Sequence, residues 1–222
     1  MLRWGLIIER DFKLAGRSTF SGLTPVFFFI VVACFFPLAI TVDKTQLQQL
    51  APGALWIAAL LAILLSMPTI FHYDFEDGAL QQIVLAPRSL VLFVYEKLLV
   101  HWCLVCLPLL LLLPFLSQCF HLKSTTLWVL AGSLLLGTPI LCCIGALGSA
   151  ITMGVRNSGV LLALLVLPLY VPIVIFGTNS VTASMAGLSY SGQWALLGAL
   201  LIGDLTLLPW VIAWILRMGV SV

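Results

Sequence analysis

Long apolar runs recur along the whole chain, and they determine the solvent in which it can fold. Six windows each hold about 20 mostly apolar residues, the length an α-helix needs to cross a bilayer. The 222 residues are 62% hydrophobic and only 8% charged, whereas soluble domains carry roughly 25% charged residues. The sequence therefore predicts an all-α integral membrane protein with six transmembrane helices, over residues 23–42, 51–70, 98–119, 125–152, 159–178 and 193–216.

The distribution of basic residues around these windows predicts the orientation. Six spans place both termini on one side, and eight of the ten basic residues then share that side. Since basic loops remain in the cytoplasm, both termini are expected there. The eight are Arg3, Arg10, Lys13, Arg17, Arg88, Lys97, Arg156 and Arg217, against Lys44 and Lys123 opposite.

Two segments outside the spans shape the predicted organisation of one domain over residues 1–222. In residues 1–22, apolar and basic side chains gather on opposite faces at helical spacing, which predicts an interfacial helix; a disordered basic tail is the alternative. Residues 179–192 are small, uncharged and semi-apolar. They fit either a solvated outer loop or a re-entrant hairpin whose backbone is covered by protein.

Several chemistries lack the residues they need. The net charge of +2 and the absence of a basic block argue against nucleic acid. No phosphate-binding Gly-x-x-x-x-Gly-Lys-Ser/Thr loop, metal-binding His-Glu-x-x-His or nucleophile elbow is present. Most of the six cysteines lie in apolar runs, and Cys103 and Cys106 have redox spacing without a helix N-terminus to acidify a thiol. We therefore predict no catalytic residues and no metal site.

Three residues inside the spans remain candidates. Asp204 lies near the middle of the sixth window, where an acid is costly and marks either a function or a hydrogen-bonded carboxyl facing the bundle. His101 follows Lys97 by one helical turn and precedes Trp102. The histidine fits either heme-iron ligation or an interfacial position beside an aromatic anchor.

The polar segment at residues 71–89 separates the second and third spans and holds three of the eight acids. Asp74, Glu76 and Asp77 precede apolar residues at helical spacing, and Pro87 closes the stretch, which predicts a short helix with its acids facing a soluble partner. A solvated loop is the alternative.

An N-terminal interfacial helix, six spans and this polar helix together resemble the ABC-2-type permease architecture. Several stretches resemble, more specifically, the heme exporter protein B family of cytochrome c maturation. Together with the chain length and the span count, the resemblance extends over nearly the whole chain. The stretches are Gln49–Ala59, Asp74–Leu80, Lys97–Trp102, Leu135–Pro139, Gly159–Leu162 and Val166–Pro172. This chain has Gln81 and Pro68 where the family commonly has acids, and Asp204 lies outside the family pattern.

The resemblance implies a permease subunit of the bacterial inner membrane, present as a homodimer in a complex with a separate ATP-binding ABC subunit and other cytochrome c maturation membrane proteins. Heme would be its substrate, or would leave on a chaperone that ATP hydrolysis releases. An ABC-2 permease for another lipophilic substrate and a non-transporting assembly scaffold are the alternatives. Residues 71–89 would be the coupling segment, with Asp74, Phe75, Glu76, Asp77, Gly78 and Leu80 at the ATPase contact.

Overall fold

The computed structural model describes residues 19–39, 43–85, 89–155 and 158–220. Every regular element in these ranges is a helix, and a π-helical turn, Trp102–Cys106, joins the fifth helix to the sixth. The interfacial helix predicted for residues 1–22 lies almost wholly outside the described residues. The helices are α1 (Thr19–Ala39), α2 (Lys44–Ser66), α3 (Thr69–Glu76), α4 (Ala79–Leu85), α5 (Leu90–His101), α6 (Leu107–Cys119), α7 (Ser124–Thr152), α8 (Ser158–Met185) and α9 (Ser191–Val220).

Five helical stretches of the described chain are long and apolar enough to cross a membrane. They agree with the second to sixth predicted spans, although the second and third begin earlier than expected. The first predicted span falls on α1, whose described apolar part, Leu23–Ala39, is shorter than the other five. The five spanning stretches are Lys44–Phe75, Leu90–Cys119, Ser124–Thr152, Ser158–Met185 and Ser191–Gly219.

Asp43 starts α2 by accepting a hydrogen bond from the Thr45 backbone N–H at 3.3 Å. Its other carboxylate oxygen accepts from the Thr45 hydroxyl at 2.7 Å. An acidic N-cap of this kind satisfies a backbone donor that has no partner inside the helix. The cap fixes the start of the span at the end of the bundle opposite α3 and α4.

The π-helical turn is a feature that the sequence reasoning did not predict. The backbone N–H of Leu107 donates to the carbonyl of Trp102, five residues back. Pro108 follows immediately, and its ring has no N–H to give to the carbonyl four residues before it. The wider turn therefore carries the helix past the proline without ending it.

Small residues let the helices approach one another closely around the buried side chain of Trp56. A Cβ at Gly137 of α7 would lie 2.3 Å from this indole ring, and one at Gly177 of α8 would lie 2.0 Å from it. The indole N–H donates to the Ser133 hydroxyl at 3.3 Å. These close contacts around Trp56 join α2, α7 and α8.

The central helix of the bundle is α7, which packs against α2, α3, α5, α6, α8 and α9. Gly145 permits close contact on it, since a Cβ there would lie 2.5 Å from the Met67 sulfur. The Tyr170 hydroxyl of α8 donates to the Leu141 carbonyl of α7 at 2.7 Å. Both α7 and α8 continue through their internal prolines as single helices.

The connection between α8 and α9 is shorter than the segment considered from the sequence. Helix α8 continues to Met185 and α9 begins at Ser191, which leaves only residues 186–190 between them. Gly187 adopts a φ of +70° there, a conformation that glycine reaches without steric cost. Neither a loop nor a re-entrant hairpin extends over residues 179–192, because most of them belong to the two helices.

Candidate functional site

The polar segment forms a two-helix hairpin, α3 and α4, at one end of the bundle. Helix α3 ends where the Asp77 backbone N–H donates to the Tyr73 carbonyl at 3.0 Å. Gly78 then takes a φ of +68°, which a residue with a side chain rarely adopts. The prediction of one short helix is therefore half right, since the glycine turns the segment into two.

Apolar side chains anchor the hairpin to the bundle. Phe71 of α3 and Leu80 of α4 are fully buried. They belong to an apolar cluster that draws on three spanning helices. Helix α3 contacts α7, and α4 contacts α9, so the hairpin is attached to two spans besides those it joins. The partners in the cluster are Phe93, Val94 and Leu98 of α5, Cys143, Ala146 and Ala150 of α7, and Ile212, Ala213 and Leu216 of α9.

An ion pair adds a polar attachment beneath the same helix. The Asp74 carboxylate is 2.7 Å from the Lys97 ammonium of α5, and the aspartate is only 3% exposed. The same ammonium lies 5.7 Å from the centre of the Phe93 ring, within the range of a cation–π contact. The expectation that all the acids face outward is wrong for Asp74, which points into the chain.

Lys97 was used to predict the orientation of the chain, but it was not predicted to be the partner of Asp74. The available signal was its position inside an apolar run, since a charge there needs a compensating group. The sequence contains few acids, but it does not tell which of them is brought to Lys97. The folding of α3 against α5 decides it.

The opposite face of the hairpin is exposed and mixed in character. Tyr73 is 53% exposed and Phe75 is 37% exposed. We call this the outer face; its exposed side chains are His72, Tyr73, Phe75, Asp77, Gln81 and Gln82. The Glu76 side chain and residues 86–88 lie outside the described part of the chain.

A cavity of about 310 Å³ adjoins the outer face. Pro68, His72 and Phe75 form one wall. The turn after α7 forms another; Gly154 adopts a φ of +81° there, and a Cβ built on it would lie 3.5 Å from the Phe75 ring. The cavity combines hydroxyl and apolar walls and can accept a side chain from outside. Its remaining lining residues are Ser149, Thr152, Met153, Gly154, Val155 and Ser158.

His101 and Trp102 each hydrogen-bond to a neighbouring span. The Ser66 hydroxyl donates to the Ile63 carbonyl at 2.7 Å, and His101 Nε2 lies 3.0 Å from that same hydroxyl oxygen. Since a hydroxyl has one proton, we assign the second bond as donation from Nε2 to Ser66. The indole N–H of Trp102 donates to the Thr138 hydroxyl at 3.0 Å. Both candidates for heme contact thus also connect helices.

Asp204 is distant from the hairpin along the sequence, and its surroundings differ from those of Asp74. It is half-buried on α9, and no hydrogen bond or ion pair joins its carboxyl to any residue in the described ranges. The structure does not bring it together with Asp74, His101 or Trp102 as one site. It remains a separate polar group in the middle of a span.

The buried thiols of Cys106 and Cys142 face each other, with sulfur atoms 3.5 Å apart. The six cysteines are all free. Over the described residues, no group of three or more His, Cys, Asp and Glu is arranged to hold a metal ion. The thiol pair therefore contributes to packing between the π-helical turn and α7.

Comparison with known proteins places the chain among its relatives. The model of the family described as CcmB protein matches residues 3–219. The chain belongs to the CcmB family. It is 44% identical to heme exporter protein B of Haemophilus influenzae over 215 residues, which cover 97% of each chain.

Two further relatives carry the same name. The protein of Pseudomonas aeruginosa is 43% identical over 218 residues, 98% of each chain. That of Escherichia coli K12 is 40% identical over 221 residues, covering 100% of each. The family resemblance read from the sequence is thereby confirmed over nearly the full length.

Proposed function

We propose that this chain is the membrane permease subunit of an ATP-driven complex that handles heme for c-type cytochrome biogenesis. The name of its relatives, heme exporter protein B, supports the substrate. The outer face of the α3–α4 hairpin supports the coupling role, and it is the observation on which the proposal depends. ATP hydrolysis would occur in a separate subunit docked on this face.

The attachments of the hairpin allow a displacement of its outer face to reach the spanning helices. Phe71, Leu80 and the Asp74–Lys97 ion pair attach it to α5, α7 and α9. A partner that moves the outer face therefore moves the ends of three spans, because packed interiors pass on displacement instead of absorbing it. The cavity beside Phe75 offers a receptor for a partner side chain.

Charge distribution supports a cytoplasmic position for the hairpin. Lys97 and Arg217 lie toward the hairpin end of their helices, and Arg88 and Arg156 flank that end in the sequence. Lys44 and Lys123 lie at the opposite end. The excess of basic residues matches the cytoplasmic side of an inner membrane, with both termini there once α1 is counted as the sixth span.

Orientation can be measured with a membrane-impermeant maleimide. A cysteine introduced by Asp77→Cys should react in inside-out vesicles and resist in intact spheroplasts. Lys123→Cys should show the reverse pattern. The cysteine-free background chain is the control, and identical labelling of the two positions would contradict the orientation.

Coupling is tested by co-purification with the ATP-hydrolysing subunit. Asp77→Arg combined with Tyr73→Ala alters the outer face without touching Phe71, Leu80 or the ion pair. We expect this variant to lose the ATPase subunit while remaining folded. The charge reversal Lys123→Glu, at the other end of the bundle, should retain it; equal recovery in both variants would support the assembly-scaffold alternative.

The heme role is tested in cells that lack the chain. Mature c-type cytochromes should be absent, and a heme-loaded chaperone should accumulate if ATP hydrolysis releases it. Normal cytochrome maturation would point to another lipophilic substrate.

A His101→Ala variant that assembles but lacks heme absorbance in the purified complex would assign heme contact to His101. Quantifying the subunits of that complex also tests the predicted homodimer.

A further inference from the structure

Helix α9 leaves most of its apolar surface uncovered by the other described parts of the chain. Only 22% of the residues in its apolar window are buried, against 67% in the window that begins with α2. Exposed residues, together with the partly buried Gly203, recur on α9 with alternating spacings of four and three, the pattern of a helix–helix seam. We call them the α9 stripe; they are Leu196, Leu200, Gly203, Leu207, Trp210 and Trp214.

Two residues, one on the stripe and one beside it, are unusual for a helix face that meets only lipid. No atom lies within 4 Å of a Cβ built at Gly203, so the glycine leaves a gap in the middle of the stripe. Small residues in membranes allow another helix backbone to come close. Asp204 follows directly and flanks the stripe, the position from which charged residues pair between helices in a seam.

The neighbouring hydroxyl groups donate to backbone carbonyls and not to Asp204. Thr206 donates to the carbonyls of Ile202 and Gly203 at 2.8 and 2.9 Å. The Tyr95 hydroxyl donates to the Leu205 carbonyl at 2.5 Å. The carboxyl of Asp204 thus lies mid-membrane with no donor from the described chain, a costly arrangement for an acid in hydrocarbon.

We propose that the α9 stripe and Asp204 bind a transmembrane helix of a different protein, one that presents a basic side chain at the depth of Asp204. A second copy of this chain is a poor occupant. In a symmetric pair Asp204 would face another Asp204. The basic residues in the described ranges lie toward the ends of the spans, and Lys97 is already paired with Asp74.

This inference concerns a membrane partner and does not rest on the proposed coupling to an ATPase. Its failure is therefore distinguishable from failure of that function. The Asp77→Arg, Tyr73→Ala variant should lose the ATPase subunit and retain the α9 partner. Asp204→Leu should do the opposite.

Photo-crosslinking in native membranes tests the proposal on the full chain. A benzophenone amino acid at Leu207 should give an adduct with a different integral membrane protein. The same probe at Leu164 of α8, an exposed position off the stripe, is the matched control. Asp204→Leu should lower the Leu207 adduct by roughly tenfold or more, because it leaves the partner's charge unpaired in lipid. Thr206→Val should leave the yield unchanged.

The identity of the adduct decides the result. Support requires a partner with a basic residue in a span, and neutralising that residue should cause no further loss in the Asp204→Leu background. Adducts between two differently tagged copies of this chain would overturn the heterologous partner. Adducts with lipid alone would overturn the docking surface. The gel-filtration profile of purified Asp204→Leu must match that of the parent chain for the comparison to stand.

Discussion

Two carboxyl groups of this chain, Asp74 of the α3–α4 hairpin and Asp204 within α9, have opposite surroundings. Asp74 is almost fully buried beneath the α3–α4 hairpin and is paired with Lys97. Asp204 is half-buried at the edge of the α9 stripe and has no partner in the described chain. The first region is closed by the chain itself, whereas the second is open. A polar group that the fold satisfies holds helices together, and one that it leaves unsatisfied indicates an external partner.

The largest effect should come from breaking the ion pair in the closed region. Lys97→Met removes the cation 2.7 Å from the Asp74 carboxylate and should lower the free energy of unfolding by about 3 kcal/mol, the low end for a broken buried pair. Unfolding in mixed detergent micelles, followed by tryptophan fluorescence, measures it. Asp74→Asn in the same chain should recover most of the loss. Lys123→Met, at an exposed lysine, is the control, and a loss as large there would contradict the comparison.

Glycine substitutions extend the comparison to other closely packed and open positions. Gly177→Ala places a methyl group 2.0 Å from the Trp56 ring and should cost about 1–3 kcal/mol through overpacking. Gly203→Ala, on the open α9 stripe, meets no atom within 4 Å. It should instead stabilise the purified chain by up to about 1 kcal/mol, since alanine favours helix. The same unfolding assay measures both, and effects of equal sign would remove the distinction.

A smaller effect is expected where a buried hydroxyl serves as an acceptor between two helices. Ser66→Ala leaves His101 Nε2 without its partner and should cost about 1 kcal/mol, the net value of an ordinary hydrogen bond. The exposed Ser189, whose hydroxyl lies 3.0 Å from that of Ser191, provides a control. Ser189→Ala should change the unfolding free energy by far less.

The smallest effects belong to the open region. Thr206→Val removes a hydroxyl that bonds only to its own helix, and Asp204→Leu removes a group with no partner in the described chain. Each should change the free energy of unfolding of the purified chain by no more than about 0.5 kcal/mol. A large loss for Asp204→Leu would show that the chain itself uses this carboxyl, and the comparison with Asp74 would then collapse.

Much of the fold followed from the apolar runs. Their length predicted five of the spans now described, because a bilayer demands about 20 apolar residues per crossing. The segment between the second and third spans was located by its acids, yet its break at Gly78 into two helices was missed. The π-helical turn was missed as well, since a proline inside a span permits several local adjustments and the sequence does not choose among them.

The candidate site was harder to predict than the fold. Asp74, Phe75, Asp77 and Leu80 share one sequence motif, but Asp74 and Leu80 face inward while Phe75 and Asp77 face outward. Which acid faces the bundle depends on how α3 rotates as Phe71 packs against α5. Neighbouring residues of a short helix point in different directions, so a motif alone does not assign their roles.

By itself, then, the sequence determined the class of protein, the position of the polar segment and the family. These depend on composition and on order along the chain. Only the tertiary structure decided that Lys97 holds Asp74, that Ser66 accepts from His101 and that Asp204 is left without a partner among the described residues. Pairing between residues far apart in the chain is set by helix packing, and in a chain so poor in charge each such pairing determines what remains for a partner.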